Sequence, residues 1–158
     1  MDGARELADG YSIREATEAD IPEVLPLIRA YTDFYESNPS DAGLEAMCAA
    51  MVAAPADEGP LLLGISPDGT IAGFAGMRWK WSSLRGAKIG YLEDLFVDPA
   101  ARGSGLADAL IAACAERARA IGAPILAWQT MPDNVRAQTV YNRVGGVAET
   151  LLEYELEL

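Results

Sequence analysis

The residues best suited to chemistry lie around a glycine-rich turn, residues 102–107, with the sequence Arg-Gly-Ser-Gly-Leu-Ala. The turn joins a strand-like apolar segment, 89–97, to a helix-like segment that begins at about residue 105. Glycines let successive backbone N–H groups converge on an anion, a helix N-terminus adds partial positive charge, and the arginine adds a fork of donors. The turn therefore indicates a pyrophosphate site, although the same glycines also suit a turn that only has to be tight.

Other phosphate-binding motifs fit this turn less well. A Rossmann domain would show a full G-x-G-x-x-G at this point and a Walker loop a G-K-[ST], and the turn has neither. The turn also lies late in the chain, behind segments that look like antiparallel strands. A nucleotide-binding domain is therefore the weaker interpretation.

Acid–base chemistry must come from a restricted set of side chains, because the chain contains no histidine. This excludes a Ser-His-Asp triad, a Cys-His pair and a zinc site that uses histidine. Asp, Glu, Tyr, Cys and Lys remain. Two adjacent carboxylates, Glu93 and Asp94, stand in segment 89–97, and strand alternation puts them on opposite faces. Only one of them should face a reaction there unless a bulge intervenes.

Composition bounds the class of protein. A chain of 158 residues, 51% hydrophobic and 23% charged, can form one domain with a real core. The net charge of −12 argues against nonspecific nucleic-acid binding, and it suits either solubility or the steering of a cationic substrate. No apolar run approaches the roughly 18 residues of a membrane helix and no signal-peptide pattern is present, so we expect a cytoplasmic protein. Cys48 and Cys114 are expected to be small core residues.

Hydrophobic periodicity and the placement of glycine and proline predict a mixed α/β sheet domain. We expect a tail at 1–10 and a domain at 11–158. The predicted order is a strand (11–16), two helices (about 21–35 and 42–54), a loop (55–60), three strands (61–65, 70–81 and 89–97), a helix (about 105–121), a strand (124–130), a helix (134–143) and a last strand (151–158). In that last segment, leucine and tyrosine alternate with glutamate.

Two stretches resemble the GNAT superfamily of N-acetyltransferases. Residues 102–107 match its signature [QR]-x-x-G-x-[GA], and 95–99, Leu-Phe-Val-Asp-Pro, are similar to its strand before the pyrophosphate loop. Residues 134–146 are similar to its N-x-x-[AS]-x-x-x-Y-x-x-x-G stretch, in which the asparagine contacts CoA and the tyrosine lies by its sulfur. The resemblance covers about residues 11–158, and the order of elements agrees with it.

The resemblance implies a GNAT fold, with a mixed, mostly antiparallel central sheet flanked by about four helices, and acetyl-CoA as cosubstrate without a metal. The residues that it implies for CoA binding are Leu95, Phe96, Val97, Arg102, Gly103, Ser104, Gly105, Leu106, Ala107 and Asn134.

Catalytic roles also follow from the resemblance. Segment 91–97, Tyr-Leu-Glu-Asp-Leu-Phe-Val, looks most like the diamine and polyamine acetyltransferase branch, in which the glutamate lies near the incoming amine as a base. We therefore choose Glu93 as the base, Tyr141 as the acid for the leaving thiolate, and a backbone N–H around Leu95 or Phe96 for the oxyanion. The alternatives are a solvated strand residue or arginine partner for Glu93, and a packing role for Tyr141.

The sequence leaves the identity of the acceptor substrate open. Aromatic residues with nearby carboxylates, Tyr31, Phe34 and Tyr35 among them, suit an ammonium group but equally suit a core. We expect a small primary amine or a polyamine; the alternatives are a protein or peptide substrate, or a catalytically idle acyl-CoA-binding domain. Trp79 and Trp81 are expected to pack in the core or in a dimer. The expected partners are the amine and a second copy in a homodimer, with no nucleic acid or membrane.

Overall fold

The computed structural model describes residues 5–7 and 9–158, and within them a six-stranded mixed sheet carries helices on both faces. The strands are β1 (Arg5–Glu6), β2 (Ser12–Glu15), β3 (Leu61–Ile65), β4 (Ile71–Ser82), β5 (Ala87–Val97) and β6 (Leu126–Ala127). The helices are α1 (Ile21–Phe34), α2 (Asp41–Ala53), α3 (Pro55–Glu58), α4 (Leu106–Ala120) and α5 (Val135–Arg143). None of the helices in this described part has the length and hydropathy to cross a membrane.

The sheet follows chain order from β1 to β6. Neighbouring strands are antiparallel until β5, which pairs with β6 in parallel at Gly90–Leu126 and Tyr91–Ala127. Helix α4 makes the crossover that a parallel pair requires. The predicted fold class, a mostly antiparallel mixed sheet flanked by helices, is confirmed.

Each face of the sheet has its own apolar core. On one face, α4 packs against the sheet through buried residues of both: Leu62, Ala75, Met77, Leu92, Leu106, Leu110, Ile111, Cys114 and Ala118. On the other face, α1 and α2 do the same with Val24, Ile28, Leu44, Cys48, Met51, Leu61, Leu63 and Phe74. Both cysteines are free and buried, as predicted. Burial of each large apolar side chain contributes about 1.5–3 kcal/mol, so these two layers hold the helices that carry the site.

Two glycines in the sheet fix the start of α4. A Cβ on Gly64 would lie 2.7 Å from Leu106 Cδ1, and one on Gly73 would lie 3.4 Å from Leu106 Cδ2. The first residue of α4 can therefore pack directly on the sheet surface. This contact sets the position of the loop that leads from β5 into the helix.

Several predictions for single segments are wrong or need adjustment. Residues 151–158 join no strand of the sheet, so the predicted last strand is not formed within the described chain. The predicted loop at 55–60 contains α3. Trp81 is 75% exposed, so it does not pack in the core, whereas Trp79 is half-buried and donates from Nε1 to the carbonyl of Pro55 at 3.0 Å. Within the predicted tail, β1 pairs with β2.

Candidate active site

A one-residue bulge interrupts β5 at Glu93. Asp94 pairs with Gly76 and Leu92 pairs with Met77, so Glu93 has no partner in β4. A bulge of this kind breaks the alternation of side chains along a strand. Because of it, Leu92 lies in the core below α4, while Asp94 acts electrostatically on Cys48 and Tyr31 on the opposite face. Glu93 also acts on Tyr31. The bulge thus brings both carboxylates close to α1.

The bulge also reverses the direction of the backbone donors. The N–H of Gly90 donates at 3.1 Å to the residue before β6, whereas the N–H of Asp98 donates at 2.8 Å toward β4. In an unbroken strand, the N–H groups of two residues that are an even number of positions apart point to the same side. Counting back from Asp98, the N–H groups of Leu95 and Val97 point away from β4. They face the side from which β6 has already diverged, since β6 pairs with β5 only as far as Tyr91.

A cavity of about 580 Å³ lies where β5 and β6 diverge, between β5, the start of α4 and α5. Every residue predicted to bind CoA lines this cavity except Ser104: Leu95, Phe96, Val97, Arg102, Gly103, Gly105, Leu106, Ala107 and Asn134. Tyr141, the predicted acid, lines it as well. The structure therefore brings the two sequence motifs, whose first residues are 32 positions apart, to the walls of a single cleft.

The loop into α4 exposes its backbone to this cavity. Gly103 and Gly105 have φ of 80° and 83°, in the left-handed region, and a Cβ on either would meet no atom within 4 Å. Backbone conformation, not space, therefore requires glycine here. The Ser104 hydroxyl donates to the carbonyl of Ala101 at 2.6 Å and accepts from the N–H of Leu106 at 3.3 Å, so it holds the loop from inside. The other N–H groups of the first turn of α4 have no acceptor within the helix.

Cationic side chains surround the same loop. Arg102 and Arg136 both line the cavity, and burial together with the nearby Arg136 lowers the pKa of Arg102. Neither guanidinium has an ion pair among the residues that the structure describes. Arg143 instead donates to both carboxylate oxygens of Asp108, at 2.9 and 2.6 Å. Because Asp108 lies in the first turn of α4, this pair offsets a negative charge beside a site suited to phosphate groups.

A second, small cavity of about 20 Å³ adjoins the first. Glu93 lines it, together with Leu92, Trp128, Gln129 and four residues shared with the large cavity: Tyr31, Tyr35, Leu95 and Tyr141. The volume holds about one water molecule. Glu93 itself is exposed, so its carboxylate is hydrated at one end and adjoins an aromatic recess at the other.

Asp94 has a different environment. Its Oδ2 lies against the sheet, where a Cβ on Gly76 would be 3.3 Å away, so this carboxylate packs closely over the glycine. Burial raises the pKa of Asp94, a hydrogen bond with the Tyr31 side chain lowers it, and the charge of Glu93 raises it further. Burial and the charge of Asp94 raise the pKa of Tyr31 in turn. Tyr31 therefore remains a neutral hydrogen-bond donor, held by Asp94 at the wall between the two cavities.

Tyr141 is half-buried at the junction of the cavities. Its ring contacts that of Trp128 edge to face, with centroids 5.5 Å apart. Burial, with a smaller contribution from Tyr35, raises the pKa of Tyr141, so the phenol is protonated at neutral pH and can donate. A Cβ on Gly146 would lie 2.9 Å from the Tyr141 carbonyl and 3.0 Å from Trp128 Cζ2, so this glycine allows the end of α5 to fold against the pair.

Asn134 serves as the cap of α5. Its Oδ1 accepts from the N–H of Ala137 at 3.3 Å, and its side chain also bonds to Tyr35. The cleft residues that sequence reasoning missed are Arg136, Arg143 and the Asp94–Tyr31 pair. The arginines are seven residues apart on a predicted helix, a spacing that places them on one face and could have identified them. The Asp94–Tyr31 contact depends on the bulge and left no signal in the sequence.

Comparison with known proteins identifies the class to which this cleft belongs. The chain belongs to the acetyltransferase (GNAT) family, whose model matches residues 24–146. An uncharacterized N-acetyltransferase of Bacillus subtilis, YhfO, is 30% identical over 88% of this chain and 91% of its own length. An aminoglycoside N(6′)-acetyltransferase of Stenotrophomonas maltophilia is 29% identical over 88% of each chain.

Solved structures agree with this assignment at the level of the fold. The aminoglycoside acetyltransferase AAC(6′)-Iy, in complex with a CoA-based bisubstrate analogue, superposes with a TM-score of 0.82 at 23% identity, over 94% of this chain and 99% of the other. A probable acetyltransferase gives a TM-score of 0.79 at 24% identity, over 92% and 97%. The protein is a GNAT N-acetyltransferase, and hence an acyltransferase.

Proposed function

We propose that the protein transfers the acetyl group of acetyl-CoA to a primary amine of a small, polyamine-like molecule. The observation that carries the proposal is the bulge in β5, which places two adjacent carboxylates, Glu93 and Asp94, beside the aromatic residues Tyr31 and Tyr35. Carboxylates and aromatic rings together suit a cationic amine. The net charge of −12 adds long-range attraction for such a substrate.

The large cavity supports acetyl-CoA as the cosubstrate. Its loop presents backbone donors at two left-handed glycines and at the N-terminus of α4, and Arg102 and Arg136 add positive charge. This set of donors matches a diphosphate. A related solved structure is of an enzyme in complex with CoA. Acetyl-CoA supplies an acetyl group activated as a thioester.

The residues of the chain account for each proton in the reaction. An alkylammonium has a pKa of about 10, so it must lose a proton before its nitrogen can attack. Glu93 takes that proton, either directly or through the one water that the small cavity can hold. As the C–N bond forms and the C–S bond breaks, the Leu95 N–H stabilises negative charge on the carbonyl oxygen. The Tyr141 hydroxyl then donates its proton to the sulfur, and the second proton, which the nitrogen loses as it becomes an amide, restores the Tyr141 phenol through solvent.

The pH dependence of one variant tests the role of Glu93. Glu93→Gln should lower kcat/KM most at pH values well below the pKa of the amine, and the loss should shrink as the pH approaches that pKa, because free amine then needs no base. Glu45→Gln is the matched control: it removes the same charge from an exposed site on α2. A loss that does not change with pH would mean that Glu93 only positions the substrate. An equal loss in both variants would indicate long-range attraction alone.

An assay of free-thiol release over a panel of acceptors tests the substrate class. Spermidine, putrescine, aminoglycosides, lysine analogues and peptides are compared at equal concentration. Turnover of the small polycationic amines supports the proposal. Turnover of peptides alone would identify a protein or peptide acetyltransferase. CoA binding without turnover of any of these acceptors would contradict the proposed small-amine class.

A further inference from the structure

The hairpin of β4 and β5 carries a concentration of positive charge in a chain that is otherwise strongly acidic. Residues 69–92 contain no carboxylate, and they hold four of the twelve lysines and arginines of the chain: Arg78, Lys80, Arg85 and Lys88. The remaining residues hold 24 carboxylates against eight cations. The net charge of −12 therefore describes the molecule as a whole and conceals a local basic surface.

The outer part of this hairpin extends beyond the rest of the sheet. Strand β3 pairs with β4 only as far as Gly76, and β6 pairs with β5 no nearer to the turn than Gly90. Among the described strands, 80–82 and 87–89 therefore pair only with each other, and a turn at 83–86 joins them. Three residues of strand rise about 10 Å. The turn thus stands clear of the strands on either side.

Two large apolar side chains are exposed at the end of this extension. Trp81 is 75% exposed and Leu84, in the turn, is 99% exposed. Lys88 pairs with Trp81 across the ladder, so their side chains share one face, whereas Lys80 lies on the opposite face. Arg85 adds an exposed charge in the turn itself. The end of the hairpin is therefore an apolar point surrounded by cations.

We propose that the outer hairpin, residues 80–89, is a docking site for an anionic phospholipid surface, into which Trp81 and Leu84 insert. Tryptophan suits the boundary between water and hydrocarbon, because its ring is apolar and its N–H is polar. Lysine and arginine are attracted to the negative headgroups. The proposal replaces the expectation of no membrane partner, which was drawn from the chain as a whole.

The projection of the hairpin keeps the acidic body away from such a surface. Asp57 and Glu58 of α3 lie at the base of the extension, since a Cβ on the next residue, Gly59, would be 2.2 Å from the Met77 carbonyl oxygen. Lys80 and the residues after it lie further toward the turn. Charges are screened over about 8 Å at physiological salt, so the cations of the hairpin reach the headgroups before these carboxylates are repelled.

The shape of the outer hairpin favours a lipid surface over a protein or a nucleic acid. A specific protein interface buries about 800 Å² on each partner, far more than two exposed side chains on a narrow extension supply. A nucleic acid could stack a base on Trp81 but offers no apolar contact for Leu84. A fluid bilayer accommodates both side chains without a preformed pocket.

Docking through the outer hairpin leaves the catalytic cleft accessible. Along β5, the large cavity begins at Leu95, about seven residues or about 23 Å from Lys88. Variants of the outer hairpin should therefore keep the rise in Tm that CoA induces. This measurement, together with circular dichroism, verifies that each variant has an intact fold and cleft.

Cosedimentation of the full chain with vesicles tests the proposal. The chain should bind vesicles of mixed phosphatidylserine and phosphatidylcholine, and should not bind vesicles of phosphatidylcholine alone. Each lysine near an anionic surface strengthens binding about fivefold, so Lys80→Gln combined with Lys88→Gln should weaken it about 25-fold. Lys80→Arg combined with Lys88→Arg keeps the charge and should keep the affinity. A chain that ignores the anionic vesicles, or a glutamine variant that binds them as tightly as the wild type, would overturn the proposal.

Insertion of the apolar side chains has its own readout. Leu84→Ser should weaken binding at least about fivefold, whereas Val147→Ser, at a 98% exposed position beyond α5, should leave it unchanged. Tryptophan emission should move to shorter wavelength on binding, and Trp81→Phe should lack this shift. If Leu84→Ser binds like the wild type, or if Trp81→Phe retains the shift, the hairpin does not insert and the proposal is wrong.

Fluorescence anisotropy with a labelled single-stranded oligonucleotide covers the competing partner. We expect no binding at physiological salt, because the body of the protein repels phosphates along an extended strand. Oligonucleotide binding that the glutamine variant loses, without binding to anionic vesicles, would assign the outer hairpin to nucleic acid and refute the lipid surface.

Discussion

Replacing Gly105 with valine tests the cofactor loop at the point where the structure is most specific. Gly105 has φ of 83° and open space around its Cβ position, so valine would strain the backbone and would project into the large cavity. The chain offers a matched control in Gly69, which has φ of 88° and equally open space but lies in the turn between β3 and β4. The two substitutions therefore share the strain and differ in location.

The expected magnitudes separate the two effects. Strain at a left-handed position costs about 1–3 kcal/mol, which for a chain of this size lowers Tm by about 2–12 °C in both variants. CoA at 100 times its Kd stabilises the wild type by about 2.7 kcal/mol, or about 5–11 °C. We expect Gly69→Val to keep this CoA-induced rise in Tm and Gly105→Val to lose it.

Differential scanning fluorimetry with and without CoA measures both quantities. If CoA raises the Tm of Gly105→Val as much as that of Gly69→Val, the loop does not hold the diphosphate and the assignment of the large cavity fails. If Gly105→Val does not fold, Gly105→Ala provides the same test. Alanine has a smaller side chain, but its Cβ is still strained in the left-handed conformation that this position requires.

Three further predictions concern single side chains of the cleft. Tyr141→Phe should lower kcat by about 100-fold with little change in the KM for acetyl-CoA, as the leaving sulfur loses its proton donor; an unchanged kcat in steady-state assays would remove that role. Burial raises the pKa of Asp94 above the ordinary carboxyl value of about 4. The contribution of protonated Asp94 to the free energy of unfolding is therefore complete below about pH 4 and is lost as the pH rises through the raised pKa. The Tm of Asp94→Asn relative to wild type should therefore increase as the pH rises above about 4, and a difference that does not change with pH would contradict the buried environment. Arg143→Gln leaves Asp108 unpaired beside the phosphate site and should weaken CoA binding in calorimetry, while adding Asp108→Asn should restore it; a double variant as weak as the single one would show that Arg143 contacts CoA directly.

Local chemistry made much of the fold predictable. Proline and glycine fixed the turn at 66–69 and the start of α4, because few other residues adopt those backbone conformations. Apolar periodicity identified the long helices, because each of them buries one face against the sheet and its apolar residues recur at helical spacing. The glycine-rich loop and the segment around Tyr141 were found through short motifs, and the structure brings both to one cavity.

Features that depend on distant partners were not predictable. Alternation alone assigns Glu93 and Asp94 to opposite faces, and the bulge that overrides it depends on how β4 and β5 align over their whole length. Residues 151–158 have the alternating pattern of a strand, but such a pattern does not specify a neighbouring strand, and the segment pairs with no strand of the described sheet. Trp81 was expected to pack in the core or in a dimer, yet it lies at the exposed end of the β4–β5 hairpin.

The bulge at Glu93 also limits how this protein can evolve. Straightening the bulge without removing a residue, so that Glu93 pairs with β4, would turn the Leu95 and Val97 N–H groups onto β4 and send the following side chains to the opposite layers. Substitutions in α1, by contrast, change the wall near the amine without moving the backbone donors. New acceptor specificities should therefore arise by exchange of side chains in the helices, whereas changes that straighten β5 at Glu93 should be eliminated by selection.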